Sequence, residues 1–239
     1  QQYSLNYNNT FLDAHTIAGM FLYEYQEENN RSFNTSRSGF QSMVLEELFA
    51  GDPTTAANNS GSSSIGRISW IWRLNYSYLD RYMLETILRS DASSRFAKGH
   101  RWGYFPSVSL GWNIAKEEFM TQFNTFDNLK LRMSYGASGY DAVANFAYLA
   151  GYSYDATYTI GDVLISALVP SSLANIYLTW EKMSVYNAGL DFSLWQRKLY
   201  GEAEYFYRER TGIPGTRVQS LPSTFGAALP QENLNSLST

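Results

Sequence analysis

The sequence predicts an all-β fold: an antiparallel up-and-down sheet whose strands are long enough to cross a membrane. Three observations carry this. Aromatic and aliphatic residues recur at every second position through most of the 239-residue chain, the period of a two-faced strand. Aromatic residues make up 16% of the chain and charged residues 17%, the latter below the roughly 25% usual in soluble domains. The alternating runs reach about 9–12 residues, against about 5–6 for strands in globular sheets.

The runs follow one another in order. In "QYSLNYNNTF", Tyr3, Leu5, Tyr7 and Phe11 oppose Ser4, Asn6, Asn8 and Thr10. Ile17, Gly19, Phe21, Tyr23 and Tyr25 form the next apolar row, with Glu24 in the other phase. Ile68, Trp70, Trp72, Leu74, Tyr76 and Tyr78 then oppose Arg67, Ser69, Ile71, Arg73, Asn75 and Ser77. After the break at Leu79-Asp80, Tyr82, Leu84 and Leu88 oppose Arg81, Glu85 and Arg89. Tyr104, Pro106, Val108, Leu110, Trp112 and Ile114 oppose Ser107, Ser109, Gly111 and Asn113. Leu129, Leu131, Met133 and Tyr135 oppose Lys130, Arg132, Ser134 and Gly136, and Phe146, Tyr148, Tyr152 and Tyr154 make a looser row. Tyr186, Ala188, Leu190, Phe192 and Leu194 oppose Asn187, Gly189, Asp191 and Ser193. Leu199, Ala203, Tyr205 and Tyr207 oppose Glu202, Glu204 and Arg208. This predicts about nine strands.

The connections alternate as well. Short links (Leu12–His15, Leu79-Asp80, Gln196–Lys198) trade places with long polar ones (Asn29–Ile65, Asp91–Gly103, Tyr154–Asn175). The spacing in "FQSMVLEELFAGD" (40–52) predicts a short helix, and "AKEEFMTQF" (115–123) a helical turn. The Gly/Ser/Asn-rich stretch 51–66 reads as a loop without a phosphate-cradling pattern.

Two environments fit this pattern. A secreted or surface-exposed β-sandwich that binds carbohydrate through its aromatics would turn the apolar phase inward. A membrane wall would turn it toward lipid. Nearly every strand charge shares phase with Ser, Asn or Gly, which both environments require. Strand length, the short-turn and long-loop asymmetry and the Tyr/Trp load favour lipid outside and lumen inside. Tyr104 and Trp112 are about 27 Å apart along extended chain and are placed for opposite aromatic girdles.

Composition narrows the function classes. Net charge is −4 and the isoelectric point about 5.3, so nucleic acid is not an expected partner. There are no cysteines, and no apolar run approaches the roughly 18 residues of a spanning helix. His15 and His100 show no metal-ligand spacing. The neighbouring pairs Glu46-Glu47 and Glu117-Glu118 would make a hydrolase only if their side chains converged, whereas adjacent helical positions point apart. No catalytic residue, metal or cofactor is expected.

The stretch "RLNYSYLDRYMLETILRSDASSRFAKGHRWGYFPSVSLGWNIAKEEFM" (73–120) resembles the SusC/RagA branch of TonB-dependent outer-membrane transporters. Their block R-x-D-G-S-S-R-F … R-W-G-x-F-P-S-x-S-x-G-W is matched by Asp91, Ser93, Ser94, Arg95, Phe96, Arg101, Trp102, Gly103, Phe105, Pro106, Ser107, Ser109, Gly111 and Trp112, with Ala92 in place of Gly. "FDNLKLRMSYGASG" (126–139), "LANIYLTWEKMSVYNAGLDFSLW" (173–195) and "YGEAEYFYRERTG" (200–212) are similar to the following blocks, with Tyr140 for Asn and Ile176 for Pro. The resemblance runs over residues 66–212 in consistent order.

It implies a part of an outer-membrane barrel of about 22 strands closed by a plug, with long extracellular loops and short periplasmic turns. It further implies a nutrient importer of a Gram-negative, Bacteroidetes-type bacterium that takes up oligosaccharides or peptides. A SusD-like surface lipoprotein would cap it and the TonB–ExbB–ExbD complex would energise it. Residues 1–239 are expected to be barrel throughout. No segment resembles the plug, the TonB box or a signal peptide, and Thr239 is not the usual terminal aromatic. The polar loop residues Asp91, Arg95, Lys98, His100 and Arg101 are the candidate ligand-binding cluster at the mouth. They would meet substrate or the lipoprotein, or form a loop held by its own Asp–Arg pairing. Lumen-phase Arg73, Glu85, Arg89, Arg132, Glu202, Glu204 and Arg208 are expected to form charge ladders across strands.

Overall fold

The computed structural model describes residues 1–239 except 43, 121, 124, 220, 221, 235, 236 and 239. Thr239 therefore lies outside the described residues, as do Met43 in the helix predicted over 40–52 and Thr121 in the turn predicted over 115–123.

The strands are β1 (Gln2–Phe11), β2 (His15–Ser36), β3 (Ala57–Tyr78), β4 (Tyr82–Ser93), β5 (Trp102–Asn113), β6 (Phe126–Tyr140), β7 (Gly151–Ile160), β8 (Val163–Ser172), β9 (Glu181–Leu194), β10 (Leu199–Thr211), β11 (Ile213–Gly215), β12 (Glu232–Leu234) and β13 (Leu237–Ser238). Among the described residues one nine-stranded sheet runs β1-β2-β3-β4-β5-β6-β9-β10-β13, with every neighbouring pair antiparallel. β7 pairs with β8 in a hairpin outside this sheet, so β6 lies directly beside β9.

The register turns each strand's alternation into a property of the sheet. Leu5, Phe21, Trp72, Leu88 and Pro106 lie opposite one another in sequence across β1 to β5. Tyr76, Leu84, Leu110, Met133, Ala188 and Tyr205 do so across β3 to β10. On the other face Asn75, Glu85, Ser109, Ser134, Asn187 and Phe206 form the corresponding row. A one-residue slip at any ladder would move a whole strand's apolar set to the wrong face, so the belt itself specifies the register.

The belt is exposed: Tyr104, Leu110, Met133 and Tyr205 are all half or more accessible. Among the described residues no second sheet packs on it, as a soluble sandwich would require. Aromatic side chains concentrate near its margins. Tyr3, Tyr23, Trp70 and Trp72 stack in series toward one rim, and His15, Tyr78, Tyr82 and Trp112 toward the other. Leu110→Arg is expected to cost about 2–4 kcal/mol of folding free energy in a bilayer, whereas Ser109→Arg, one residue away on the opposite face, should cost about 1 kcal/mol or less. Denaturant titration of both variants in vesicles checks the contrast.

Several connections differ from expectation. The long polar loop predicted over 29–65 is strand at both ends: β2 and β3 each run 22 residues and pair out to Ser36↔Ala57, leaving 37–56 as the connection. That is about 70 Å of extended chain each, well beyond a membrane span. Apolar alternation marks only the lipid-facing half of such a ribbon, so its Ser/Asn-rich outer half reads as loop. The helix predicted over 40–52 is replaced, among the described residues, by a 3-10 turn at Leu48–Ala50, with a second at Pro53–Thr55 just beyond it. A segment this short gains little from helix propagation. Here the Arg37 guanidinium donates to the Phe49 carbonyl, and the Asp52 N–H bonds to the Ser38 carbonyl, folding the chain back instead. The turn predicted over 115–123 appears as 3-10 turns at Ile114–Lys116 and Glu118–Met120. The looser row 146–154 resolves into turns followed by β7, and the loop predicted over 154–175 is largely the β7–β8 hairpin.

Candidate functional site

At the long-loop rim three segments far apart in sequence fold onto one another: the β4–β5 loop, the chain after β6, and the approach to β9. Phe96 and Leu178 are fully buried, and Phe105, Val143 and Trp180 nearly so. The Trp180 ring lies 5.4 Å from Phe96 and 5.5 Å from Phe105, centroid to centroid. The Phe105 ring occupies the space a Cβ would need on Gly103 and on Gly139, so both positions require glycine for close approach. Backbone groups are satisfied around this core. Trp180 Nε1 donates to the Arg101 carbonyl (2.8 Å), and the Thr179 hydroxyl to the His100 carbonyl (3.2 Å).

A charged centre sits beside the core. Asp141 is buried, and its two oxygens accept Nε and Nη2 of Arg67 (both 2.9 Å), while the Ser93 hydroxyl donates to Oδ2 (2.7 Å). Burial works against the Asp141 charge, yet the Arg67 and Ser93 contacts more than offset it and hold the carboxyl below its ordinary value of 3.8.

The five candidate loop residues divide within this arrangement. Arg95 faces Asn145 Oδ1 (3.1 Å) and the Asp141 carbonyl (2.9 Å), and Arg101 donates to the Phe96 carbonyl (3.1 Å). His100 packs edge-on against Tyr177. Asp91, buried at the end of β4, accepts from Arg89 (2.6 Å). Lys98 is exposed beside Gly99, whose φ of 101° makes the turn. The pairing of Asp91 with loop arginines expected from sequence is therefore replaced: Asp91 uses its strand neighbour, and Arg95 reaches across to the chain after β6. Sequence reasoning missed Asp141, Arg67 and Trp180. One signal was available, since Phe105 is an apolar residue in the otherwise polar phase of β5.

On the lumen-phase face a ladder links three strands: Arg132 of β6 contacts Asp191 of β9 (2.8 Å) and Glu202 of β10 (3.6 Å). Glu204 accepts from Asn187, and Arg208 lies over the Phe206 ring. Arg73 and Glu85, expected in the same ladder, form no ion pair among the described residues; Arg73 lies opposite Met20 and Ile87. Arg132→Ala with Asp191→Ala is expected to cost about 1 kcal/mol, checked by comparing the unfolding of the double variant with that of the wild type.

Concavities lie on both faces of the sheet; on the lumen-phase face one is lined by Asp127, Asp191, Arg197 and Glu202, and another by Glu85, Lys130 and Arg132. Two more lie between belt side chains, one around Leu110, Tyr135 and Tyr205 and the other around Tyr82, Leu84 and Trp112, and neither lining holds a carboxylate, amine or imidazole. Glu117 accepts from Trp112 Nε1 (2.8 Å) and faces Arg81 (3.6 Å), a structural role.

A belt of apolar side chains on one face, ion pairs on the other and loops packed at one rim define a wall segment of a transmembrane β-barrel. No protein-family model matches the chain. It is 34% identical over 208 residues to the TonB-dependent receptor SusC of Bacteroides thetaiotaomicron, which spans 84% of this chain and 20% of that protein. It is 30% identical over 234 residues to the TonB-dependent receptor P3 of Formosa agariphila, 98% of this chain and 23% of that one. Among solved structures, the RagAB peptide importer in its open-open state superposes with a TM-score of 0.87 at 24% identity, over 99% of this chain and 26% of that one. The ferric enterobactin receptor PfeA of Pseudomonas aeruginosa, at 18% identity and a TM-score of 0.59 over 99% of this chain and 31% of its own, shares the fold. The chain belongs to the SusC/RagA family of TonB-dependent receptors, as part of the β-barrel, and spans about a fifth to a quarter of the curated relatives it matches.

Proposed function

We propose that the chain forms part of an outer-membrane importer of a Gram-negative bacterium. It takes up oligosaccharides or peptides with a SusD-like surface lipoprotein at its mouth and the TonB–ExbB–ExbD complex as its energy source. Residues 1–239 are barrel throughout, and the long-loop rim faces outside. The observation that supports this most directly is the register, which places the apolar rows of β1 to β6, β9 and β10 on one face of the sheet; the likeness to SusC and RagAB points to the importer class. Lys98 and Arg101, both exposed on the rim, are the loop side chains available to meet substrate or the lipoprotein, while Arg95, and Arg101 through its bond to the Phe96 carbonyl, hold the mouth in shape.

The full-length receptor is expected to fractionate with the outer membrane, to co-purify with a surface lipoprotein, and to be needed for growth on a particular oligosaccharide or peptide source. A deletion strain complemented with the wild-type receptor, tested on both nutrient classes, identifies which. Recovery of the receptor in the detergent-free soluble fraction would overturn the reading.

A further inference from the structure

Three tight turns of the short-turn rim break a steric rule. Leu12-Asp13 and Leu79-Asp80 adopt φ of 51–52° at both residues, and Trp195 begins the β9–β10 turn at 53°. Left-handed backbone favours Gly, Asn or Asp and disfavours bulky side chains. The chain supplies its own contrast: the β7–β8 hairpin, beyond the opposite rim, makes its turn with Gly161-Asp162 (φ 56° and 64°). The bulky residues are also exposed, Leu12 at 88%, Leu79 at 41% and Trp195 at 55%.

These turns are not loose. The Leu79 N–H donates to the Ala14 carbonyl (2.7 Å), the Asn113 N–H to the Arg81 carbonyl (2.7 Å), and the Trp195 N–H to the Thr125 carbonyl (3.1 Å), tying neighbouring connections together along the rim. The polar residues of the turns find partners there: Asp80 with Lys116 (3.4 Å), and the Arg197 N–H with the Asp127 carboxylate (2.9 Å). The apolar ones stay exposed. Each turn leaves the sheet at a belt residue (Phe11, Tyr78 and Leu194), and the Tyr78–Tyr82–Trp112 stack, at the belt's margin, ends beside the second turn.

We propose that Leu12, Leu79 and Trp195 are lipid anchors, seated at the boundary between headgroups and acyl chains of the periplasmic leaflet. The short-turn rim then sits within the interface, with its aspartates toward water and its bulky residues toward lipid. Lipid contact offsets the left-handed strain. The turns' place at the aromatic margin of the belt favours phospholipid over a periplasmic protein as occupant.

This rests on the outer-membrane reading, and the test separates the two. Nitroxide labels are placed at Leu12→Cys, Leu79→Cys and Trp195→Cys, with Leu110→Cys as belt reference and Ser62→Cys as aqueous reference. The background is a full-length receptor free of other cysteines, in phosphatidylethanolamine–phosphatidylglycerol vesicles, with heat-modifiable gel migration confirming that each variant folds. Collision with oxygen is compared with collision with a water-soluble nickel chelate. The three turn labels are expected to shift toward oxygen, between Leu110 and Ser62. If Leu110 reads as lipid and the turn labels match Ser62, the anchor proposal fails alone. If Leu110 itself reads as aqueous, the outer-membrane reading fails and the anchors with it.

Discussion

Trp180→Ala is expected to lower the stability of the long-loop rim by about 3–5 kcal/mol, the usual cost of emptying a buried large aromatic site. Trp180 is 6% exposed and contacts both other aromatic rings of the rim core. Its removal leaves the Arg101 carbonyl without the Nε1 donor and opens a cavity between the β4–β5 loop and the approach to β9. Trp180→Phe separates the two contributions, since it keeps most of the packing and loses the hydrogen bond, worth about 1 kcal/mol. The same core is reached from β6 by Gly139→Ala, whose added methyl overlaps the Phe105 ring. Hydrogen exchange on 94–101 and 141–149 reads the effect locally: protection should fall there while the belt strands β3 and β4 keep theirs. Unchanged exchange in both loops would contradict a core at this rim.

Asp141→Asn is the second large effect, expected at about 2 kcal/mol at neutral pH, the scale of hydrogen bonds to a charged group. The Arg67 side chain is about one-third exposed, so water screens part of the charge it would otherwise leave buried, and the full cost of breaking a buried pair does not apply. The pH dependence has a definite sign. The folded carboxyl titrates below its ordinary value of 3.8, so its contribution is complete above that pH and is lost as pH falls through it toward the folded-state value. The stability difference between wild type and Asp141→Asn should therefore be constant from neutral pH down to about pH 5 and shrink below about pH 4. Thermal unfolding in detergent across that range measures it. A difference that grows on acidification would mean the carboxyl is not held ionised by Arg67.

Much of the belt was legible because the information is local. Tyr82 and Trp112 fall on the lipid face from their phase alone, and the register places them opposite each other. The Leu-Asp breaks mark hairpins for the same reason, although Leu is a poor left-handed residue and nothing in the alternation foretells its φ. The rim core was hidden for the opposite reason. Arg67 and Asp141 are separated by 74 positions, and their pairing depends on where the end of β6 falls against the middle of β3. The β7–β8 hairpin was hidden because Tyr152 and Tyr154 continue a period-two pattern whether or not the strand joins the main sheet.

By itself, the sequence determined which face of each strand is apolar, where the short turns fall and that the sheet is antiparallel, since side chains alternate with period two and tight links allow no other pairing. Tertiary structure decided how far β2 and β3 extend past the belt, that β6 neighbours β9, and that Phe96, Phe105 and Trp180 share a core around a buried Asp141. Those features depend on close contact between chain segments that no local pattern encodes.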